Sequence, residues 1–176
     1  MRLFVRLSLI GLVALVAAGF WLSQSQQDAA PKPTPKVEAG QCTDAGTSVV
    51  IDFGSDSSEP IIEKCVLNYS GNSWNLLLAA GLNISGTTKY PIGFVCRINA
   101  YPDTSREKCI ETPGGNSGSW AFFIAESGSD EWIYSPYGAS SHRVKCGSAE
   151  GWRFLEKNES LKTAPRIQPV TNTCEK

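Results

Sequence analysis

Asn72-Ser73-Trp74-Asn75-Leu76-Leu77-Leu78-Ala79-Ala80-Gly81 carries the clearest helix signal in a chain that otherwise reads as strands and turns. Asn72 or Ser73 can cap the first turn by accepting an orphan backbone N–H. Trp74, Leu77 and Leu78 fall at i, i+3 and i+4, so the pattern predicts one shared apolar face. Gly81 supplies a left-handed stop. A helix this short needs a sheet to pack on.

Strands are predicted on both sides. Upstream, Val49-Val50-Ile51-Asp52-Phe53 is β-branched and closed by Gly54, and Ser55-Asp56-Ser57-Ser58 is a turn. Ile61 to Tyr69 completes a hairpin. Downstream, Gly93 to Asn99 is a strand, followed by the polar stretch 101–118. Trp120-Ala121-Phe122-Phe123-Ile124-Ala125 is apolar on both faces and reads as a central strand. Trp132-Ile133-Tyr134 and Gly151-Trp152-Arg153-Phe154-Leu155 follow. Strands with one short helix make an α+β domain. Hairpin, helix and further strands in that order resemble the β-grasp arrangement.

The start of the chain is different. Met1 to Arg6 is short and basic, and Leu7 to Leu22 carries no charge. Basic residues before the apolar run hold the N-terminus inside and send the rest outside. Residues 1–22 read either as a cleaved signal peptide or as a membrane anchor (a transmembrane helix with Arg6 snorkelling). Residues 23–41 are polar, with Pro31, Pro33 and Pro35 alternating, and read as an extended spacer. The folded domain is expected over 42–156, with a polar tail at 157–176.

Six cysteines, Cys42, Cys65, Cys96, Cys109, Cys146 and Cys174, all lie beyond the apolar run. There is no C-x-x-C pair and His142 is the only histidine, which argues against a zinc site. An even count after an export segment reads as disulfides in an oxidising compartment. Cys109, thirteen residues after Cys96, closes a loop of easily bridged length. The net charge of −1, from 16 basic and 17 acidic side chains, gives no clustered basic face for nucleic acid.

Catalytic patterns are weak. Gly114-Gly115-Asn116-Ser117-Gly118-Ser119 departs from G-x-S-x-G because residue 119 is serine. Asp52, Glu63, Glu126 and Glu131 offer carboxylates in no recognisable pattern. Three N-x-S sequons, at Asn68, Asn83 and Asn158, matter only in a host that glycosylates them. The expectation is a non-enzymatic domain. The aromatics carry more information. Trp120, Phe122, Trp132, Tyr134 and Trp152 serve either a small core or a flat platform for a planar or sugar-like ligand.

Gly93-Phe-Val-Cys-Arg-Ile-Asn99, Cys109, Thr112-Pro113, Trp120-Ala-Phe-Phe123, Trp132-Ile-Tyr-Ser135 and Glu150-Gly-Trp-Arg-Phe154 together resemble small exported actinobacterial proteins. Those are similar to the C-terminal domain of transcobalamin and intrinsic factor. The resemblance covers about residues 42–155. It departs at Ile124-Ala125-Glu126, where the family shows an asparagine-glycine turn. The resemblance implies bridges Cys42–Cys65 and Cys96–Cys109, which leaves Cys146 with Cys174. It also implies a cobalamin-like ligand, with no resident cofactor or metal otherwise expected. The expected function is an extracytoplasmic, envelope-tethered domain that binds a ligand or presents it to a transporter. The alternative is a structural or adhesive surface module for a protein or envelope glycan.

Overall fold

The β-branched and aromatic runs pair into one mixed sheet. The computed structural model describes residues 33–112 and 118–174. The strands are β1 Lys36–Ala39, β2 Thr47–Asp52, β3 Ile62–Leu67, β4 Ile84–Ser85, β5 Arg97–Ile98, β6 Ser119–Ala125, β7 Ile133–Tyr134 and β8 Ala149–Leu155, and the helix α1 is Ser73–Ala79. Six strands form the main sheet in the order β1-β3-β2-β8-β6-β7. β2 and β8 run parallel at its centre, with Ile51 opposite Trp152 and Asp52 opposite Arg153. The other pairings are antiparallel. The fold is α+β, mostly sheet with one short helix.

Alternation along the strands sorts the side chains. Val49, Ile51, Trp120, Phe122, Ile124, Trp152 and Phe154 face the helix and pack with Trp74, Leu76 and Leu77. The intervening residues Ala121, Phe123 and Leu155 form a second apolar cluster with Trp132 and Ala164. Every residue of β2 and of β8 is buried, because both faces of these strands are covered.

The second cover is the C-terminal segment. Ser48 Oγ donates to Val170 O at 2.8 Å, Trp132 Nε1 to Ile167 O at 2.8 Å, and Asn172 N to Gly147 O at 2.9 Å. Arg166 pairs with buried Asp52 at 2.7 Å. Residues 157–174, expected as a polar tail, thus run as a strap across the sheet face opposite α1. Their polar side chains and backbone find partners there, which composition alone does not reveal.

Three disulfides close, Cys42–Cys65, Cys96–Cys109 and Cys146–Cys174, and no described cysteine is free. They are the pairs that the resemblance implies, and they point to an oxidising, extracytoplasmic environment.

Several local expectations change. Lys36–Ala39, inside the expected spacer, pairs with β3 as an edge strand. Asn72 caps α1, its side chain accepting from Asn75 N at 3.0 Å, and Gly81 ends it at φ +79°. Leu78, however, is 48% exposed while Leu76 is fully buried. The buried stripe runs through 73, 74, 76 and 77, since α1 lies between the sheet and a loop. Of the strand expected over Gly93–Asn99, only Arg97–Ile98 is extended, and it pairs with β4 outside the main sheet. Here the Cys96–Cys109 bridge and the turn at Asn99 take over from strand pairing. The apolar segment 1–22 and most of the Gly114–Ser119 stretch lie outside the described residues. Among those described, no helix is long and apolar enough to cross a membrane.

Candidate functional site

The five aromatics expected to line a ligand face divide between the two faces of the sheet. Trp120, Phe122 and Trp152 sit in the core beneath α1 at 7%, 6% and 3% exposure. Phe122 stacks on Trp152 with ring centres 4.5 Å apart, as their direct cross-strand pairing allows. Trp132 and Tyr134 belong with the opposite face, where Tyr134 meets Phe123 edge-on at 5.6 Å. Only Tyr134 of the five is exposed, beside Ile133 on edge strand β7. The strand period dictates this split. Residues 120 and 122 share a face, and the antiparallel register brings 152 and 154 to it.

The cleft that the sequence did not suggest lies at the end of β2 and β3. It has a volume of about 410 Å³. Phe53, Ile62 and Tyr101 supply its apolar surface, and Glu59, Asn99 and Asp103 its polar surface. Its size and mixed lining fall in the range of small-ligand sites.

Each wall has a local cause. Ile98 and Tyr101 exchange both backbone hydrogen bonds, at 3.0 Å each. The two residues between them, Asn99 and Ala100, have φ of +50° and +67°. This is a two-residue turn of the primed kind, which ordinarily takes glycine at its second central position. Ala100 keeps a Cβ there and so holds a strained backbone at the cleft wall. Asn99 Oδ1 accepts from Asn83 N at 3.0 Å, which fixes the turn against the end of α1.

Tyr101 is anchored by its ring. It meets Phe53 edge-on at 5.4 Å and Phe154 at 5.0 Å, and Trp120 Nε1 donates to its carbonyl at 3.2 Å. Its hydroxyl accepts from Arg106 Nη1 at 3.1 Å. Burial pushes its pKa up, against the opposing pull of the Arg106 charge. Arg106 in turn pairs with Glu156 and lies over the Phe154 ring at 4.8 Å. On the rim, Asp103 accepts from Ser105 Oγ at 2.6 Å and from Arg106 N at 3.0 Å. The Ser105 hydroxyl, more than any other contact, holds its carboxyl below the usual range.

The carboxylates considered for hydrolysis have other partners or none nearby. Asp52 is shut in with Arg153 and Arg166. Glu63 accepts from Gln41 Nε2 at 2.9 Å, Glu126 pairs with Lys145 at 2.9 Å, and Glu131 is exposed. His142, the only histidine, is buried and lies edge-on to Phe122 at 5.6 Å. Asn68, Asn83 and Asn158 are exposed.

Sequence reasoning missed the cleft because its walls come from two stretches far apart in the chain, 53–62 and 99–103. A signal was present in Asn99-Ala100, flanked by residues that pair, but it lacks the glycine that marks such turns. No family model, curated protein or solved structure matches this chain.

Proposed function

We propose that this is a non-catalytic, extracytoplasmic binding domain of β-grasp form that holds a small hydroxyl- or amine-bearing ligand in the cleft at Tyr101. The observation that carries the reading is the strained Ala100 turn at the wall of the 410 Å³ cleft. Strain of this kind persists where the surrounding structure over-determines it, and it clusters at ligand sites. The aromatic floor suits the apolar face of a sugar or planar ring, and Glu59, Asn99 and Asp103 suit its polar edge.

The sheet order supports the β-grasp assignment. Without the added β1 it runs β3-β2-β8-β6-β7, with the first and last strands parallel at the centre. That order is also consistent with the transcobalamin-like resemblance. In this reading residues 1–22 export the domain, either as a signal that is removed or as an anchor from which the spacer tethers it in the envelope. A cobalamin-like ligand would meet the domain at this cleft, and only by an edge, since a corrinoid exceeds its volume. Delivery to a transporter follows as the role of such a tethered binder.

Titration of oxidised Thr34–Lys176 with N-acetylglucosamine, glucosamine and cobalamin, read by tyrosine and tryptophan fluorescence, tests the reading. Saturable binding that Glu59→Lys weakens at least tenfold supports it. Binding that is indifferent to Glu59→Lys, or absent for all three, sinks it.

A second reading has its own observation. Ile133 and Tyr134 on edge strand β7 are 56% and 42% exposed, and Tyr137, just beyond the strand, is 56% exposed. An apolar edge of this kind suits a protein partner in a surface module. Retention of a defined envelope protein that Tyr134→Lys abolishes, with no small-ligand binding, would favour it.

A further inference from the structure

Glu150 is the one fully buried carboxylate on the helix side of the sheet among the described residues. It lies on β8, two residues from Trp152 and on the same face. Its Oε1 accepts from Ser73 Oγ at 2.7 Å. The same oxygen lies 3.7 Å from His142 Nε2. Its Oε2 has no hydrogen-bond partner, and neither has the neighbouring Trp152 Nε1. Among the described residues no lysine or arginine pairs with it.

The groups around it come from four segments. Helix α1 contributes Ser73 at its first turn. The segment before α1 contributes Tyr69, whose Oη donates to Asn72 O at 2.7 Å. The loop 138–144 contributes His142, with Arg143 bridged to Asn72 through the backbone. From β6, Phe122 and Ile124 close the space with carbon. Charge acts from further out: Glu126 and Lys145 oppose each other at His142, and Arg143 opposes Glu150 at Tyr69.

These same segments are docked to one another over Glu150. Ser73 N donates to His142 O at 3.3 Å and Trp74 N to Ala139 O at 3.0 Å. Val144 N donates to Gly71 O at 3.0 Å, and Asn72 Nδ2 to Ser140 O at 3.1 Å. Separating the loop from the helix N-terminus would break up the cover that holds Ser73 and His142 against the carboxyl group.

We propose that Glu150 is a proton-operated lock between the start of helix α1 and the 138–144 loop. With its proton on, the carboxyl group is neutral and one hydroxyl contact suffices to bury it. Without the proton, a buried anion has one hydroxyl and one distant imidazole for company, and the contact above it loosens. His142 does not rescue it, since burial lowers the pKa of the imidazole.

Burial, countered only by the Ser73 hydrogen bond, pushes Glu150 up to about 8 from 4.5. The sign follows from linkage. Between these two values the open form releases a proton that the closed form keeps, so opening is favoured about tenfold per pH unit. Above about 8 both forms are ionised and the effect levels off. The lock is tightest in acid and weakens toward neutral pH.

The test is amide exchange in the oxidised full-length protein from pH 5 to 9, expressed as protection factors. The amides of Ser73, Trp74 and Val144 should lose protection about tenfold per pH unit and then level off. In Glu150→Gln their protection should not vary with pH, while Ser73→Ala should keep the slope and start from lower protection. Core amides at Val50 and Ile51 should be more strongly protected than those of Ser73, Trp74 and Val144 at every pH, even where linkage lowers global stability in parallel. Flat wild-type profiles at Ser73, Trp74 and Val144, or a slope unchanged in Glu150→Gln, would overturn the proposal. So would protection factors at Ser73, Trp74 and Val144 equal to those at Val50 and Ile51, because the opening would then be global. If Glu150→Gln does not fold, the wild-type and Ser73→Ala slopes decide by the same criteria.

Discussion

Asp52 and Arg153 stand side by side on the parallel strands at the centre of the sheet, with Arg153 Nη1 donating to Asp52 Oδ2 at 3.0 Å and both side chains closed to solvent. Arg166 reaches Asp52 from the strap through its backbone N–H at 2.9 Å and its guanidinium at 2.7 Å. Glu159 takes the other side of Arg153 at 2.7 Å. One buried carboxylate therefore ties the strap to two central strands.

Asp52→Ala should destabilise the fold by about 3–5 kcal/mol, because it leaves the Arg153 charge buried with less than its full complement. Urea unfolding of the oxidised protein measures this. The pH dependence has a definite sign. Burial alone would raise the Asp52 carboxyl, but the hydrogen bonds from Arg166 and Gly54 and the Arg153 charge outweigh it and hold the carboxyl below its ordinary value. Its contribution is present above the ordinary value of 3.8 and is lost as pH falls through the depressed one. Acid unfolding of wild type should therefore include a step that Asp52→Ala lacks.

The Cys146–Cys174 bridge anchors the far end of the strap across 28 residues. Replacing both cysteines by serine should cost roughly 3.6 kcal/mol by the loop-entropy relation. Exchange should rise first at Asn172 and along the Trp132 indole contact, ahead of β2 and β8. Equal protection in the double variant would show that Asp52 and the backbone contacts hold the strap unaided.

Gly151 is the point where the strap and Trp132 press on β8. A Cβ there would lie 2.8 Å from Pro165 Cγ and 3.0 Å from the Trp132 ring. Gly151→Ala should destabilise by about 1–3 kcal/mol, as overpacking does. The Trp132 emission should shift red as the ring is lifted. A neutral result would mean that Pro165 yields freely.

Ala100 gives a prediction of the opposite sign. At φ +67° its Cβ is strained, so Ala100→Gly should stabilise the fold by about 1 kcal/mol. If the strained turn shapes the cleft, the same change should weaken ligand binding while raising the unfolding midpoint. An unchanged midpoint would place the turn in a relaxed conformation in solution.

Trp120 to Ala125 reads as buried on both faces, and it is. The second cover, however, is a strap of polar composition whose anchors are Arg166, Ile167 O, Val170 O and Cys174. Nothing in periodicity distinguishes such a strap from a solvated tail, since its contacts run mainly through backbone atoms and two charged side chains, Glu159 and Arg166. The helix shows the same limit. Asn72 and Gly81 mark its ends locally, while the choice of Leu76 over Leu78 as the buried leucine depends on what lies on either side.

The sequence by itself determined the α+β class, the hairpin, the position and caps of α1, and an even set of cysteines suited to disulfides. These follow from period, capping chemistry and composition, all of which act within a few residues. Tertiary structure alone decided that Trp120, Phe122 and Trp152 belong to the core. It also decided that these three rings pack on the α1 face rather than the strap face, that a cleft opens at Tyr101, that Asp52 clamps the strap, and that Glu150 is sealed under the helix. Each of these depends on which distant segments meet, and burial and the loss of water at such meetings set the energies.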